Sequence, residues 1–407
     1  MREMKDSGID WIGTIPQDWQ LSKIGSLYTQ RNEKVSDKDY QPLSVTMQGI
    51  LPQLATAAKT DDGDNRKLVR VGDFAINSRS DRRGSCGISP LDGSVSLINI
   101  ILTPRTAMHP GYYNWLFNTT LFADEFYKWG HGIVADLWTT RWQEMKSITV
   151  PVPEYAEQER IAAFLDAECA VIDAVLEKTR ASIEEYKKLK QAVITQAVTK
   201  GIRGDRPMKD SGIEWIGEIS QDFEIVKLKW LCDVLDQFRS PVTADKRNQN
   251  ADVLYDYYGA SGAIDKIDGY TIDDHVMLIG EDGANLRMRN LPIMYEINGK
   301  AWVNNHAHIL KPKAGVDFYF IFYALEALDL NYYITGSAQP KLSQDNLRNI
   351  WVPITDFTGQ KRIAAYISDV CDEFDCLIAK KQQYLTEIEN YKKSLIYEYV
   401  TGKKEVV

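Results

Sequence analysis

Residues 4–13 read MKDSGIDWIG and residues 208–217 read MKDSGIEWIG, identical at nine of ten positions. The copies begin 204 positions apart, and each runs on into similar text, TIPQDWQLSKI at 14–24 and EISQDFEIVKL at 218–228. A match this dense does not arise from composition. It marks an internal duplication of roughly 200 residues per unit. A second pair, EQERIAAFLDAECAVID at 157–173 and GQKRIAAYISDVCDEFD at 359–375, repeats at an offset of 202 and aligns Arg160 with Arg362, Cys169 with Cys371 and Asp173 with Asp375. Whatever fold this chain adopts, it must be built twice, in the order block, helix, block, helix.

Between the repeated flanks the two blocks diverge. Residues 14–154 read as mixed α/β: VGDFAIN and VSLINIIL are β-rich runs bounded by turn residues, and residues 110–129 carry apolar groups at helical spacing after Pro110. Residues 208–356 repeat the plan, with DFYFIFYALEALDL (317–330) as the matching helix. From Glu157 to about Lys200 there is no Pro or Gly, and Ile161, Leu165, Ile172, Leu176, Ile183 and Leu189 recur at three- and four-residue steps. A second such stripe, including Ile363, Ile367, Phe374, Leu377 and Leu395, runs from Gln360 to about Tyr399. Forty-odd helical residues span on the order of 60 Å, more than a small domain, so each stripe needs a partner. Two stripes of equal length most simply bury against each other. A parallel bundle, or packing against another protein, is the alternative. The expected fold class is α+β: two pseudo-symmetric mixed α/β domains separated by two long helices forming an antiparallel coiled coil. The expected divisions are 1–154, 155–206, 207–356 and 357–407.

Composition sets limits on function. No window approaches 18 uninterrupted apolar residues, and the N-terminal MREMKDSGID lacks a signal-peptide core, so a cytoplasmic location is expected. The five cysteines are scattered without zinc spacing and read as reduced and structural. The net charge of −9 opposes a nucleic-acid partner unless basic clusters act locally. No phosphate loop, Gly-rich cofactor loop, Asn-Pro-Pro-Tyr-like methyltransferase motif or nucleophile–histidine elbow is legible, so the chain reads as non-catalytic. His306 and His308, two apart, would share a face on a strand; without a third ligand they read as structural rather than as a metal pair.

The block–helix–block–helix order, WIG(T/E)I(P/S)QD(W/F), VPVPEYAEQERIAAFLD, LIGEDGANL…GKAWVNNHAHIL and ENYKKSLIYEYVTGK together resemble the specificity (S) subunit of type I restriction-modification enzymes, over essentially the whole chain. The resemblance implies that each block is a target recognition domain reading one half of a bipartite, asymmetric DNA site. It implies that the helices act as a spacer and help to dock two methyltransferase (M) subunits, with restriction/motor (R) subunits completing the complex. S-adenosylmethionine, ATP and Mg would then belong to the partner subunits. One departure is that Gly359 and Lys361 stand where the first copy has Glu157 and Glu159. The competing reading is a structural scaffold whose repeated domains bind protein; an enzyme in its own right fits the missing motifs least.

If the blocks read DNA, the candidate contacts fall in two loops of each. In the first block these are AINSRSDRRGSCG (75–87), with Asn77, Arg79, Arg82 and Arg83, and GIVADLWTTRWQ (132–143), with Trp138, Thr139, Thr140 and Arg141. Gln48 is a weaker candidate. In the second block they are GEDGANLRMRN (280–290), with Asn285, Arg287, Arg289 and the carboxylates Glu281 and Asp282, and GSAQPKLSQDN (336–346), with Gln339 and Lys341. Arg can pair with guanine, Asn with adenine, and a carboxylate can accept from the cytosine amino group.

Overall fold

The repeated decapeptide folds into the same turn twice. This computed structural model describes residues 2–53, 62–132, 138–204, 206–247 and 252–406. Strand Met4–Asp6 pairs antiparallel with Thr14–Pro16, and Met208–Asp210 with Glu218–Ser220. Asp6 Oδ1 accepts from the Gly8 amide at 3.0 Å, and Asp210 Oδ1 accepts from the Gly212 amide at 3.0 Å. The turns need left-handed backbone at matched glycines, with φ of 70° at Gly8 and 73° at Gly212. A side chain at either position would be strained. The near-identity of the repeat therefore specifies a turn. Its tryptophans pack against aromatic rings: Trp11 is buried edge-on to Phe122 at 5.9 Å, and Trp215 stacks on Tyr332 at 5.8 Å.

The chain divides into two units, residues 1–180 with 383–407 and residues 181–382. In the first unit the β-rich text forms a four-stranded antiparallel sheet from β1 (Tyr28–Arg31), β2 (Phe74–Asn77), β3 (Cys86–Ile88) and β4 (Asn99–Pro104), in the order β3-β2-β4-β1. In the second, β5 (Cys232–Val234), β6 (Tyr255–Gly259), β7 (Gly262–Ile267), β8 (Ile272–Gly280), β9 (Met294–Val303) and β10 (Ala307–Pro312) are ordered β5-β10-β8-β9-β6-β7. The run β5-β10-β8-β9 repeats the order β1-β4-β2-β3 of the first unit. The β6–β7 hairpin is an addition, joined by parallel pairing of β6 with β9. The stretch 110–129 forms two helices, Pro110–Phe117 and Thr120–Lys128, where the spacing predicts one. Asn118 Nδ2 donates to the Asn114 carbonyl at 2.7 Å, and Thr119 Oγ1 accepts from the Phe122 amide at 3.2 Å. Those side chains end one helix and cap the next.

The long helices are α1 (Tyr155–Lys200) and α2 (Phe357–Val400), of 46 and 44 residues. Each contributes to both units, and within each unit the two run antiparallel. In the first, Phe164 meets Tyr399 at 4.4 Å and Lys392 Nζ donates to Asp173 Oδ1 at 2.6 Å. In the second, Tyr186 meets Phe374 at 6.1 Å and Lys190 Nζ donates to Asp375 Oδ1 at 2.7 Å. These are one ion pair made twice, since Lys190 and Lys392, like Asp173 and Asp375, stand 202 apart. Exposed pairs of this kind contribute only ~0.2–1 kcal/mol each. The stripes carry the association: Ile161, Leu165, Ile172 and Leu176 are buried in the first core, and Ile194, Val198, Ile363 and Ile367 in the second. Leu189 and Leu377, placed on the stripes by their spacing, are instead 52% and 42% exposed.

Candidate nucleic-acid interface

In each unit the two candidate loops are far apart in sequence and adjacent in the fold. The first loop of each unit continues from a central strand, β2 ending at Asn77 and β8 ending at Gly280. The second leads back toward the long helix. In the first unit Arg79 forms an antiparallel bridge with Thr139, and Thr139 forms another with His131. The Thr139 amide donates to the His131 carbonyl at 3.0 Å, and the Ser80 amide donates to the Trp138 carbonyl at 3.1 Å. In the second unit Asp282 bridges Lys341, and Lys341 bridges Thr335. The Lys341 amide donates to the Thr335 carbonyl at 2.8 Å. Arg79 matches Asp282, Thr139 matches Lys341 and His131 matches Thr335 at spacings of 203, 202 and 204, so the device is duplicated with the chain.

Several candidates are occupied in holding these loops. Thr140 is fully buried, and its hydroxyl donates to the Phe126 carbonyl at 2.9 Å. It is a structural residue, not a base contact. Trp138 Nε1 donates to the Tyr127 carbonyl at 2.8 Å, and its ring lies so close over Gly130 that a Cβ there would meet it. Asn77 Oδ1 accepts from the Arg79 amide at 3.1 Å. Arg83 pairs with Asp124 and lies over the Tyr127 ring. Arg82 and Arg141 are exposed, and Arg79 is half-buried. Gln48 is exposed in the turn between strands Leu43–Thr46 and Gly49–Pro52. Residues 133–137 of the second loop lie outside the described residues.

The second unit makes more of its polar groups structural. Arg289 adopts a left-handed backbone, φ 52°, and donates to the Glu326 and Leu328 carbonyls at 2.8 and 2.9 Å. It secures the end of helix Phe318–Ala327, and burial pushes its pKa down. Those two bonds engage the Arg289 guanidinium, expected as a DNA contact, within the fold. Asn285 ties the loop shut, accepting from the Leu291 amide at 2.9 Å and donating to the Leu291 carbonyl at 3.0 Å. Glu281 is likewise engaged within the fold. Its side chain is 12% exposed, receives Lys341 Nζ at 2.9 Å and pairs with Arg239. Burial alone would raise the Glu281 carboxyl, but its bonds from Lys341 and Arg239 outweigh that and hold it below the usual carboxylate range. Arg287 donates one bond to the Ile334 carbonyl at 3.0 Å and stays exposed. Gln339 is exposed at the tip of its loop.

Beneath the loops lies a polar cluster for which the sequence carried no motif. His308 is buried with Nδ1 2.7 Å from Asp236 Oδ2 and Nε2 2.8 Å from the Leu342 carbonyl. Both ring nitrogens thus lie within hydrogen-bond distance of an oxygen. Asp236 also receives Gln344 Nε2 at 2.8 Å and the Ile309 amide at 3.1 Å. His306 does not share the face of His308: it is exposed, with Nδ1 2.8 Å from Asp282 Oδ2. Among the described residues no group of three or more His, Cys, Asp or Glu could hold a metal ion, and no helix is long and apolar enough to cross a membrane. Cys86, Cys169, Cys232 and Cys371 are buried and free, whereas Cys376 is free and exposed.

Residues 220–389 match the family described as type I restriction modification DNA specificity domain. The likeness extends beyond that segment. The chain is 26% identical over 425 aligned residues to the type I restriction enzyme MjaVIII specificity subunit of Methanocaldococcus jannaschii, covering 96% of this chain and 94% of the relative. Residues 220–389 thus match a type I restriction modification DNA specificity domain, and nearly the whole chain is similar to a type I specificity subunit. A second subunit of that organism, the putative MjaX specificity subunit, is 22% identical, covering 97% of this chain and 96% of its own length. The fold agrees. A chain solved in a study of complex assembly and conformational transition of the type I R-M system superposes with a TM-score of 0.74 at 13% identity, covering 96% of this chain and 99% of the other. The HsdS subunit of Thermoanaerobacter tengcongensis superposes with a TM-score of 0.51 at 16% identity, covering 96% and 98%.

Proposed function

We propose that this specificity subunit binds double-stranded DNA through its two bridged loop pairs, one half of a bipartite, asymmetric site to each unit. The observation that carries this reading is the duplicated bridge with unlike side chains at its matched positions. The same scaffold made twice, holding different polar groups, suits two readers of two different sequences. Basic groups concentrated at the loops, among them Arg79, Arg82 and Arg141, offset the acidic whole locally. The long helices set the spacing and dock two methyltransferase subunits, and restriction/motor subunits join that complex. The chain itself does no chemistry. S-adenosylmethionine, ATP and Mg serve the partner subunits, in the cytoplasm.

The test is a gel shift with random duplex and with an enriched duplex, using the subunit with and without its co-expressed methyltransferase subunit. Sequence-selective binding is expected. Its absence in both preparations overturns the proposal and leaves a protein-binding scaffold. Within a selective complex, Arg82→Ala and Arg287→Ala each cost ~1–3 kcal/mol and relax one position of one half-site if the guanidinium reads a base. A loss that is uniform across sequences identifies a phosphate contact instead.

A further inference from the structure

We infer that the two units read opposite hydrogen-bond polarity at their matched bridge position: Arg79 takes a guanine in one half-site, and Asp282 takes a cytosine amino group in the other. This rests on the reading of both units as DNA readers. The two residues are equivalent by structure, since each forms the outer bridge to the central residue of its device, Thr139 or Lys341. Their chemistry is opposite. A guanidinium only donates, matching the N7 and O6 acceptors of guanine in the major groove. A carboxylate only accepts, matching the N4 amino group of cytosine.

The surroundings keep each group available. No ion pair or hydrogen bond among the described residues holds the Arg79 guanidinium. The Asp282 side chain is 36% exposed, and His306 Nδ1 engages only Oδ2, at 2.8 Å. That contact orients the carboxylate and leaves Oδ1 for a base. The neighbouring Glu281 points into the fold, where Lys341 and Arg239 hold it. Of the two adjacent acids, only Asp282 faces outward.

The experiment enriches a randomised duplex library on the complex with its methyltransferase subunit, for the wild type, Arg79→Ala, Asp282→Asn and Asp282→Ala. The wild type is expected to enrich a split site with a guanine in one half and a cytosine in the other. Arg79→Ala should lose about tenfold or more of the guanine preference at that one position and leave the other half-site unchanged. Asp282→Asn should move its position from cytosine toward adenine, because an amide pairs with adenine N6 and N7. Asp282→Ala should remove the preference without creating another. Uniform weakening by Arg79→Ala, or an unchanged site with both Asp282 variants, overturns the inference while leaving the DNA reading intact. Failure of the wild type to enrich any site overturns both. Circular dichroism melts of each variant matching the wild type show that a changed preference is not lost folding.

Discussion

Thr140 and Asp282 look alike in sequence, short polar residues in Gly-flanked loops, and the fold buries the first and leaves the second partly exposed. Removing the buried Thr140 hydroxyl leaves the Phe126 carbonyl without its donor. Thr140→Val should therefore cost ~1–3 kcal/mol of stability, read as a lowered melting temperature, with the enriched DNA site unchanged. The cluster around His308 adds a pH dependence. Burial would raise the Asp236 carboxyl, but its bond with His308 dominates together with those from Gln344 and Ile309, and its pKa is held below the ordinary 3.8. The Glu281 pKa is likewise below its ordinary 4.5. A carboxylate with a lowered folded pKa binds protons more readily when unfolded. The stability from both is present above the ordinary values and is lost as pH falls through the lowered ones. Melting of the second unit should thus weaken on acidification below about pH 4.5, and Asp236→Asn should flatten that response. A melting temperature with the same acid slope in Asp236→Asn argues that other carboxylates dominate. None of this was legible in the sequence. Which of two neighbouring polar groups turns inward depends on partners 42 to 108 residues away, such as Arg239 for Glu281 and Gln344 for Asp236.

Elements were far more legible than their side chains. The long helices follow from uninterrupted helix formers with a stripe, and the sheets from β-rich runs between turn residues. The pairing of loops 75–87 and 132–143 did not follow, because isolated bridges leave no periodic pattern. The departure at Gly359 did carry information. In the first unit Glu157 accepts from Trp19 Nε1 at 2.9 Å and from Arg2 Nη2 at 3.1 Å. In the second unit Gly359 and Phe223 stand at the positions of Glu157 and Trp19, so that contact has no equivalent. The first unit instead adds the chain's last residues: Tyr397 Oη donates to the Ile12 carbonyl at 2.9 Å, and Tyr112 Oη to the Val400 carbonyl at 2.8 Å. Glu157→Gln should accordingly destabilise the first unit, by about 1–3 kcal/mol for a bond set that includes a charged partner, and leave the second unit's melting unchanged. A transition that shifts equally in both units contradicts the assignment.

If each unit reads one half-site, the informative quantity for the whole molecule is the length of the two long helices. Within each unit α1 and α2 are antiparallel, in a register marked by Lys190–Asp375 in one and Lys392–Asp173 in the other. An insertion in one helix breaks that register, whereas matched insertions in both preserve it on either side. Seven residues added after Arg180 and seven after Gln382, at the boundary between the units, keep the apolar stripe nearly in phase. They lengthen each helix by about 10 Å, the rise of seven helical residues. On B-DNA, which advances ~34 Å per turn of about 10 base pairs, that corresponds to roughly three base pairs. If the helices set the spacing between the half-sites, the double insertion should enrich the same two half-sites with a gap about three base pairs longer. The single insertions should lower the melting temperature, because beyond the insertion one helix is shifted by seven residues against the other and their side chains no longer match. Retention of the wild-type gap by a well-folded double insertion would show that the separation of the half-sites is fixed by something other than these helices, such as the subunits bound to them.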